Sequence, residues 1–300
     1  MTKTIDTLAD DIKAMFTDAN TGTATILTEQ AMAKFGAGVA LAVNRSLEAR
    51  RVEGRKPRTL YMSEIGQPCK RKLWYGYHQK ALAEPMQGHT LFKFLYGDII
   101  EETALLLAEA AGHTVELRQQ PIEILLPNDW KVRGRIDAVV DGVLVDVKGV
   151  SPFGYKKFEE GLTDDNDSFG YRGQLAGYNY SGSWERQGFL AIDKQNGKVG
   201  FFEQATIPAE EVMDNALEAR SAVDRPAAPP RAFDAKPEGT SGNMKLGVEC
   251  SYCPYKQVCW RDSNGGKGLR AFAYSYGPVF LTEVKREPKV TELTLTTITT

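Results

Sequence analysis

The dipeptide Asp141-Gly142, set between two apolar runs, constrains this chain more than any other feature. Asp-Gly is a strong signal for a two-residue hairpin turn, because both central positions need a positive φ that Gly adopts freely and Asp tolerates. A two-residue turn fixes the register: Val140 faces Val143, and every opposed pair of residue numbers adds to 283. Asp137 and Asp146 are such a pair. Strand alternation places Ile136, Ala138 and Val140, with Val143, Val145 and Val147, on one apolar face. Asp137 and Asp146 share the other face, with Lys148 two residues further on.

Two like charges opposed across a ladder repel. A divalent cation between them removes the objection, and hard oxygen ligands suit Mg²⁺ or Mn²⁺. Such an ion lowers the pKa of a bound water and neutralises charge on a phosphate in the transition state. The competing arrangement is a pair of exposed strand acids, each satisfied by a nearby arginine, Arg133 or Arg135. Further on, Gln174 and Tyr178 stand four residues apart on an expected helix and share a face, as they would on an ordinary amphipathic helix.

Around this hairpin the pattern is mixed. Residues 1–50 read as helical, and 91–112 as a long helix ending at Gly112. Strand-like runs cover 115–126, 131–140 and 143–150. A polar loop (161–170), a helix near 169–180, strands at 187–193 and 199–206 and a helix near 209–223 follow. A proline-rich linker then leads to three cysteines, and the tail from Lys289 suits an edge strand or disorder. The segmentation is an N-terminal helical region (1–60), a basic segment (61–90), an α/β core (91–225), and a linker, cysteine and tail region (226–300).

Net charge is −2 over 300 residues, which excludes a bulk polycation. Charge is uneven, however. Between Arg45 and Lys80 ten Lys and Arg, among them Arg50, Arg51, Arg55, Lys70, Arg71 and Lys72, oppose Glu48, Glu53 and Glu64. Tyr61, Trp74, Tyr75 and Tyr77 interleave with them. This is either a solvated helix face or a phosphate track with base-stacking platforms. No apolar run is long enough to span a membrane, and the N-terminus lacks the pattern of a secretory signal, so a cytoplasmic location is expected. No phosphate-binding Gly-x(4)-Gly-Lys-Ser/Thr loop occurs, so no helicase motor is expected. His78, His89 and His113 are too scattered for a histidine-based metal site.

Gly134-Arg135-Ile136-Asp137, Asp146-Val147-Lys148 and Gln174-Leu175-Ala176-Gly177-Tyr178 together resemble the core motifs of the PD-(D/E)XK nucleases. The Gln-x-x-x-Tyr element resembles the RecB-like branch. There a helix before the sheet usually carries a metal-ligating His in a Gly-x-x-x-His pattern. The matching stretch here is Gly97-Asp98-Ile99-Ile100-Glu101, with Glu101 in place of the His and Glu102 as the neighbour that periodicity does not separate from it. The resemblance implies a restriction-endonuclease-like fold, a central mixed sheet flanked by helices. It also implies that Glu101, Asp137, Asp146 and the Val147 carbonyl hold the metal. Lys148 would orient or deprotonate the attacking water, and Gln174 and Tyr178 would position the nucleic acid backbone or that water.

Cys250, Cys253 and Cys259 lie within ten residues, and Cys69 precedes the core. Disulfides are a poor reading for a reducing cytosol. Four thiolates can close a metal site and would staple distant parts of the chain. Paired Cys-x-x-Cys knuckles, usual for zinc, are missing around Cys69. One early cysteine and a late triplet resemble the iron–sulfur nucleases, including AddB-type subunits and the CRISPR-associated four-cysteine exonucleases. The segment from Ser63 to Tyr75 resembles their entry segment. That resemblance implies a [4Fe–4S] cluster on Cys69, Cys250, Cys253 and Cys259, with Zn²⁺ as the alternative. It also places Lys70, Arg71 and Lys72, with Arg135 and Tyr178, on DNA.

The expected function is therefore a metal-dependent DNA exonuclease acting on free strand ends in recombination, repair or replication. A helicase, single-strand-binding or annealing protein would be its partner. Compact size without a motor resembles a phage recombination or genome-degrading exonuclease. The alternatives are a structure-specific endonuclease of the same fold and a non-catalytic DNA-end-binding protein.

Overall fold

The Asp141-Gly142 turn closes with φ of 50° and 80°. Val140 pairs with Val143, Val139 with Leu144 and Ala138 with Val145, which is the register read from the sequence. The computed structural model describes residues 3–48, 56–86 and 88–295. Arg50, Arg51, Glu53 and Arg55 of the basic window, and the last five residues of the tail, lie outside the described residues.

The principal helices are α1 (Leu8–Asn20), α2 (Glu29–Leu47), α3 (Met62–Ile65), α4 (Lys70–His78), α5 (Gly88–Ala110), α6 (Pro152–Glu160), α7 (Tyr171–Gly182) and α8 (Ala209–Asp224). The strands are β1 (Thr59–Tyr61), β2 (Val115–Glu116), β3 (Pro121–Leu126), β4 (Trp130–Arg135), β5 (Ala138–Val140), β6 (Val143–Val150), β7 (Gln187–Asp193), β8 (Val199–Glu203), β9 (Lys236–Pro237), β10 (Met244–Lys245), β11 (Arg270–Tyr274), β12 (Gly277–Glu283) and β13 (Glu292–Leu293). The protein is a mixed α/β chain whose sheets are flanked by helices.

The chain divides into two compact units, one of residues 1–66 with 87–217 and one of 67–86 with 218–300. This redraws the four-part segmentation. The N-terminal helices belong with the α/β unit, and only the stretch from Gln67 to Met86 belongs with the cysteine-bearing end.

In the first unit a mixed sheet runs β2-β5-β6-β7-β8. β5 and β6 are antiparallel, and β6 and β7 are parallel, joined by a crossover that contains α6 and α7. One sheet face is apolar. Ala138, Val140, Val143, Val145 and Val147 pack with Ile5, Leu8, Ile12, Leu105 and Ala108, so α1 and α5 cover it. A second sheet, β1-β4-β3, stands beside it in sequence but apart in pairing.

That second sheet corrects two sequence expectations. The runs 115–126 and 131–140 each break into two strands that serve different sheets. Leu117 and Gln119 adopt φ near 50°, which turns the first run, and Ile136 and Asp137 sit between β4 and β5. Asp137 therefore lies at a crossing between sheets, just off the end of β5. A helix also forms at α6, where the sequence reading assigns no element. Ser151 caps it by accepting from Gly154 N at 3.2 Å, and Pro152 fills its first turn.

The second unit holds α4 and an antiparallel sheet ordered β13-β11-β12-β10-β9. Only its last strand was anticipated: β13 pairs at the edge with β11. Among the described residues no helix is long and apolar enough to cross a membrane.

Candidate active site

Asp146 stands in the middle of β6, on the face opposite the valine core, and is 2 % exposed. Its parallel partner is Phe189, against which Phe158 packs at 5.1 Å between ring centroids and Tyr171 at 6.4 Å. α6 and α7 therefore roof the acidic face. The exposed pair satisfied by arginines does not occur. Arg133 donates to Glu123 at 2.8 Å and Arg135 to Gln119 at 3.4 Å.

Asp137 does not extend the ladder. Its Oδ2 accepts from the Val147 backbone N–H at 2.7 Å. By strand alternation that N–H and the Val147 carbonyl project to the same side, so the carboxylate and the carbonyl share one edge of β6. Burial, then Asp146 and Glu101, push the Asp137 carboxyl well above the usual range.

α5 brings a third acid. Glu101 is pushed up to about 7, by burial first and then by Asp146 and Glu102. Gln119 donates to Glu101. Glu102 instead pairs with Arg118. The two neighbours that periodicity does not separate thus face different partners, and Glu101 is the one drawn toward Asp137 and Asp146.

Lys148 Nζ forms an ion pair with Asp146 Oδ2 and lies 4.9 Å from the centre of the Tyr171 ring. Burial alone would depress its pKa; Asp146 and Asp137 outweigh that and hold it raised, so the ammonium stays charged. It is therefore placed as a donor to a water or phosphate oxygen. Its side chain keeps 18 % exposure, enough for such a group to reach it. Lys148 is thus the partner of Asp146 Oδ2, by an ion pair without hydrogen-bond geometry.

α7 supplies the remaining wall. Gln174 Nε2 donates to Tyr178 Oη at 2.7 Å, so the two act as one unit on the helix face. Burial, then Asp146, raise the Tyr178 phenol. The helix start is fixed by Asp167, which accepts from Tyr171 N at 3.0 Å and Arg172 N at 2.8 Å, and by Gly170 at φ 76°. Gly173 and Gly177 allow α7 to lie on α3: a Cβ on Gly173 would stand 2.5 Å from Gly66 Cα.

Three carboxylates, of which Asp146 raises the proton affinity of the other two, and a strand-edge carbonyl are the donor set a hard divalent ion takes. Among the described residues no three acidic, Cys or His side chains already converge on one point as a finished ion cage. The residues fit the ion in chemistry. Gln119, Tyr171, Asp167 and the Val147 N–H were missed by sequence reasoning. Tyr171 alone carried a signal, standing three residues before Gln174 and seven before Tyr178 on the same helix.

In the second unit Cys69 occupies the N-cap position of α4, and Cys250, Cys253 and Cys259 lie in or beside the short helical turns Val248–Ser251 and Lys256–Cys259. All four are free thiols and half-buried. Burial, then Cys253, Cys69 and Cys259, push the Cys250 thiol up to about 12. Burial, with Cys69 and Cys259 adding, pushes Cys253 up to about 11 against the opposing pull of Lys72. The thiols thus lie within electrostatic reach of one another without converging on one point. Tyr75 stacks on Tyr255 beside Cys253 and Cys259, and Arg231 donates to the Cys259 carbonyl at 3.1 Å. Such thiols suit a metal or cluster that would remove their protons.

The basic segment needs correction. Trp74 and Tyr75 are core residues, 8 % and 6 % exposed, because the apolar side of α4 packs into its own unit. They are not stacking platforms. Lys70 pairs with Glu218 at 3.1 Å, Arg71 donates to Pro229 O at 2.6 Å, and Lys72 donates to Gln67 at 3.1 Å. Each has an internal task besides any ligand.

No family model matches the chain, and no curated protein matches it. Among solved structures SSO0001 is similar, with 16% identity and a TM-score of 0.46, covering 72% of this chain and 93% of that one.

Proposed function

We propose that this chain is a metal-dependent deoxyribonuclease of the PD-(D/E)XK kind that hydrolyses phosphodiester bonds from DNA ends. One observation carries the reading: Glu101 from a helix and Asp137 from a strand crossing are pushed toward the protonated form by burial and by Asp146 on β6, beside a charged lysine. Acids left so close need a cation, and a lysine beside them suits a substrate with a negative oxygen.

Glu101, Asp137, Asp146 and the Val147 carbonyl would hold Mg²⁺ or Mn²⁺. Bound there, the ion would acidify a water and offset charge on the phosphate. The Lys148 ammonium holds the water or a phosphate oxygen by donation. Tyr178 and Gln174 orient the backbone of the strand, and exposed Arg135, linked to Glu101 through Gln119, neutralises a neighbouring phosphate. Cys69, Cys250, Cys253 and Cys259 would hold a [4Fe–4S] cluster, with Zn²⁺ as the alternative, and tie α4 to the C-terminal cysteines. DNA with free ends is the partner in this reading, with a separate helicase, single-strand-binding or annealing protein acting on the same strands.

The test uses end-labelled linear DNA and closed circles with Mn²⁺. Shortening of linear DNA alone supports an exonuclease, and cutting of circles moves the reading to an endonuclease. Binding without cleavage by wild-type protein identifies an end-holding protein.

A further inference from the structure

The roof over the acidic face continues outward as a stack of rings. Phe189 and Phe158, 1 % and 4 % exposed, support Tyr171, whose ring lies 6.1 Å from that of Phe158 at 22°. Lys148 Nζ sits over Tyr171. The last ring is Phe169, 5.6 Å from Tyr171 at 29° between planes, and it is 54 % exposed. A phenylalanine so exposed gains little from burial. The backbone on both sides of it is tied by hydrogen bonds. Asp167 accepts from Tyr171 N and Arg172 N, Gly170 N bonds Asp167 O at 3.2 Å, and Gly170 turns the chain at φ 76°. An exposed aromatic stacked on a ring that touches the site's lysine is a platform for another flat ring.

We propose that Phe169 stacks an unpaired nucleobase of the strand whose phosphate lies at Lys148, so that the substrate is a single-stranded end. The inference rests on the nuclease reading and adds the state of the strand. Phe169 is two ring contacts from the ammonium, 4.9 Å from Lys148 to Tyr171 and 5.6 Å from Tyr171 to Phe169. A base inside a duplex has no free face to offer. The surrounding loop agrees with a base rather than a phosphate: Asp164, 97% exposed, pairs with Arg172, and Asp165 is exposed beside it.

The experiment titrates wild-type protein and Phe169→Leu and Phe169→Trp variants with hydrolysis-resistant phosphorothioate oligonucleotides carrying 2-aminopurine near the end, single-stranded and as blunt duplex. Wild-type protein is expected to quench the fluorescent base of the single strand. Phe169→Leu should abolish the quench and weaken single-strand affinity about tenfold, the loss of one stack. Phe169→Trp should keep both, and blunt-duplex binding should change little in any variant. Because the ring is exposed, all variants are expected to keep the wild-type melting temperature. Equal affinity and quench in Phe169→Leu would overturn the platform while leaving the nuclease reading intact. Wild-type protein that binds no oligonucleotide would overturn both.

Discussion

At the scale of single residues, the site is defined by charge that has nowhere to go. Lys148 neutralises Asp146 in a pocket roofed by aromatic rings, and removing one side of a buried pair leaves the other uncompensated. Lys148→Met is expected to lower the stability of the metal-free protein by about 3 kcal/mol, the lower end for such a break, since the acids can take up protons instead. Chemical denaturation reads this directly, and Mn²⁺ should restore part of the loss. Glu101 gives a pH dependence of known sign. Its folded carboxyl holds a proton up to about 7, against an ordinary 4.5, so the folded chain binds that proton more tightly than the unfolded one. The stability it confers is complete below about 4.5 and declines as pH rises to about 7. Melting temperatures of metal-free wild type minus those of Glu101→Gln should fall across that window and level off above it. A flat difference would show that neither burial nor the neighbouring carboxylates raise the Glu101 carboxyl.

At the scale of elements, the site depends on how closely α7 lies on α3. A methyl group on Gly173 meets backbone, which cannot rotate away. Gly173→Ala is expected to cost about 1–3 kcal/mol and to displace Gln174 and Tyr178 together, lowering activity beyond what stability loss explains. Unchanged melting and turnover would refute this packing. The elements also show what the chain made readable. The hairpin register, β6 and β7 follow from turn chemistry and period, which are local. The break between β4 and β5 does not, because Ile136 and Asp137 continue an alternating pattern while the backbone crosses to another sheet. The roof over Asp146 was hidden for a related reason: Phe158, Tyr171 and Phe189 meet only when the crossover folds back. Glu101 and Glu102 are adjacent in sequence, and only the position of Arg118 and Gln119 separates them.

At the scale of the whole molecule, the chain forms two units, each with its own candidate metal chemistry. The carboxylates lie in the first, and all four cysteines in the second. Thiols pushed up to about 11 and 12 gain most from an ion that displaces their protons. Anaerobically prepared protein is expected to be brown, with iron and sulfide near four per chain, and Cys250→Ser should lose both. Colourless protein with one zinc per chain would assign the thiols to Zn²⁺ instead. Loss of the cluster is expected to unfold the second unit at lower temperature, seen as a separate calorimetric transition. The basic segment bears on the same unit. With Trp74 and Tyr75 buried, α4 contributes to its core first and to nucleic acid only through the ends of its cationic side chains.

If Glu101, Asp137 and Asp146 hold a divalent ion for phosphodiester hydrolysis, Mn²⁺-dependent release of label from linear DNA separates wild-type from Asp146→Asn protein. Asp146→Asn keeps the shape of the side chain and removes the charge an ion needs. Label release that is Mn²⁺-dependent in wild type and lost by at least about a thousandfold in the variant, with folding preserved, is the predicted result. Undiminished release by Asp146→Asn would contradict the account.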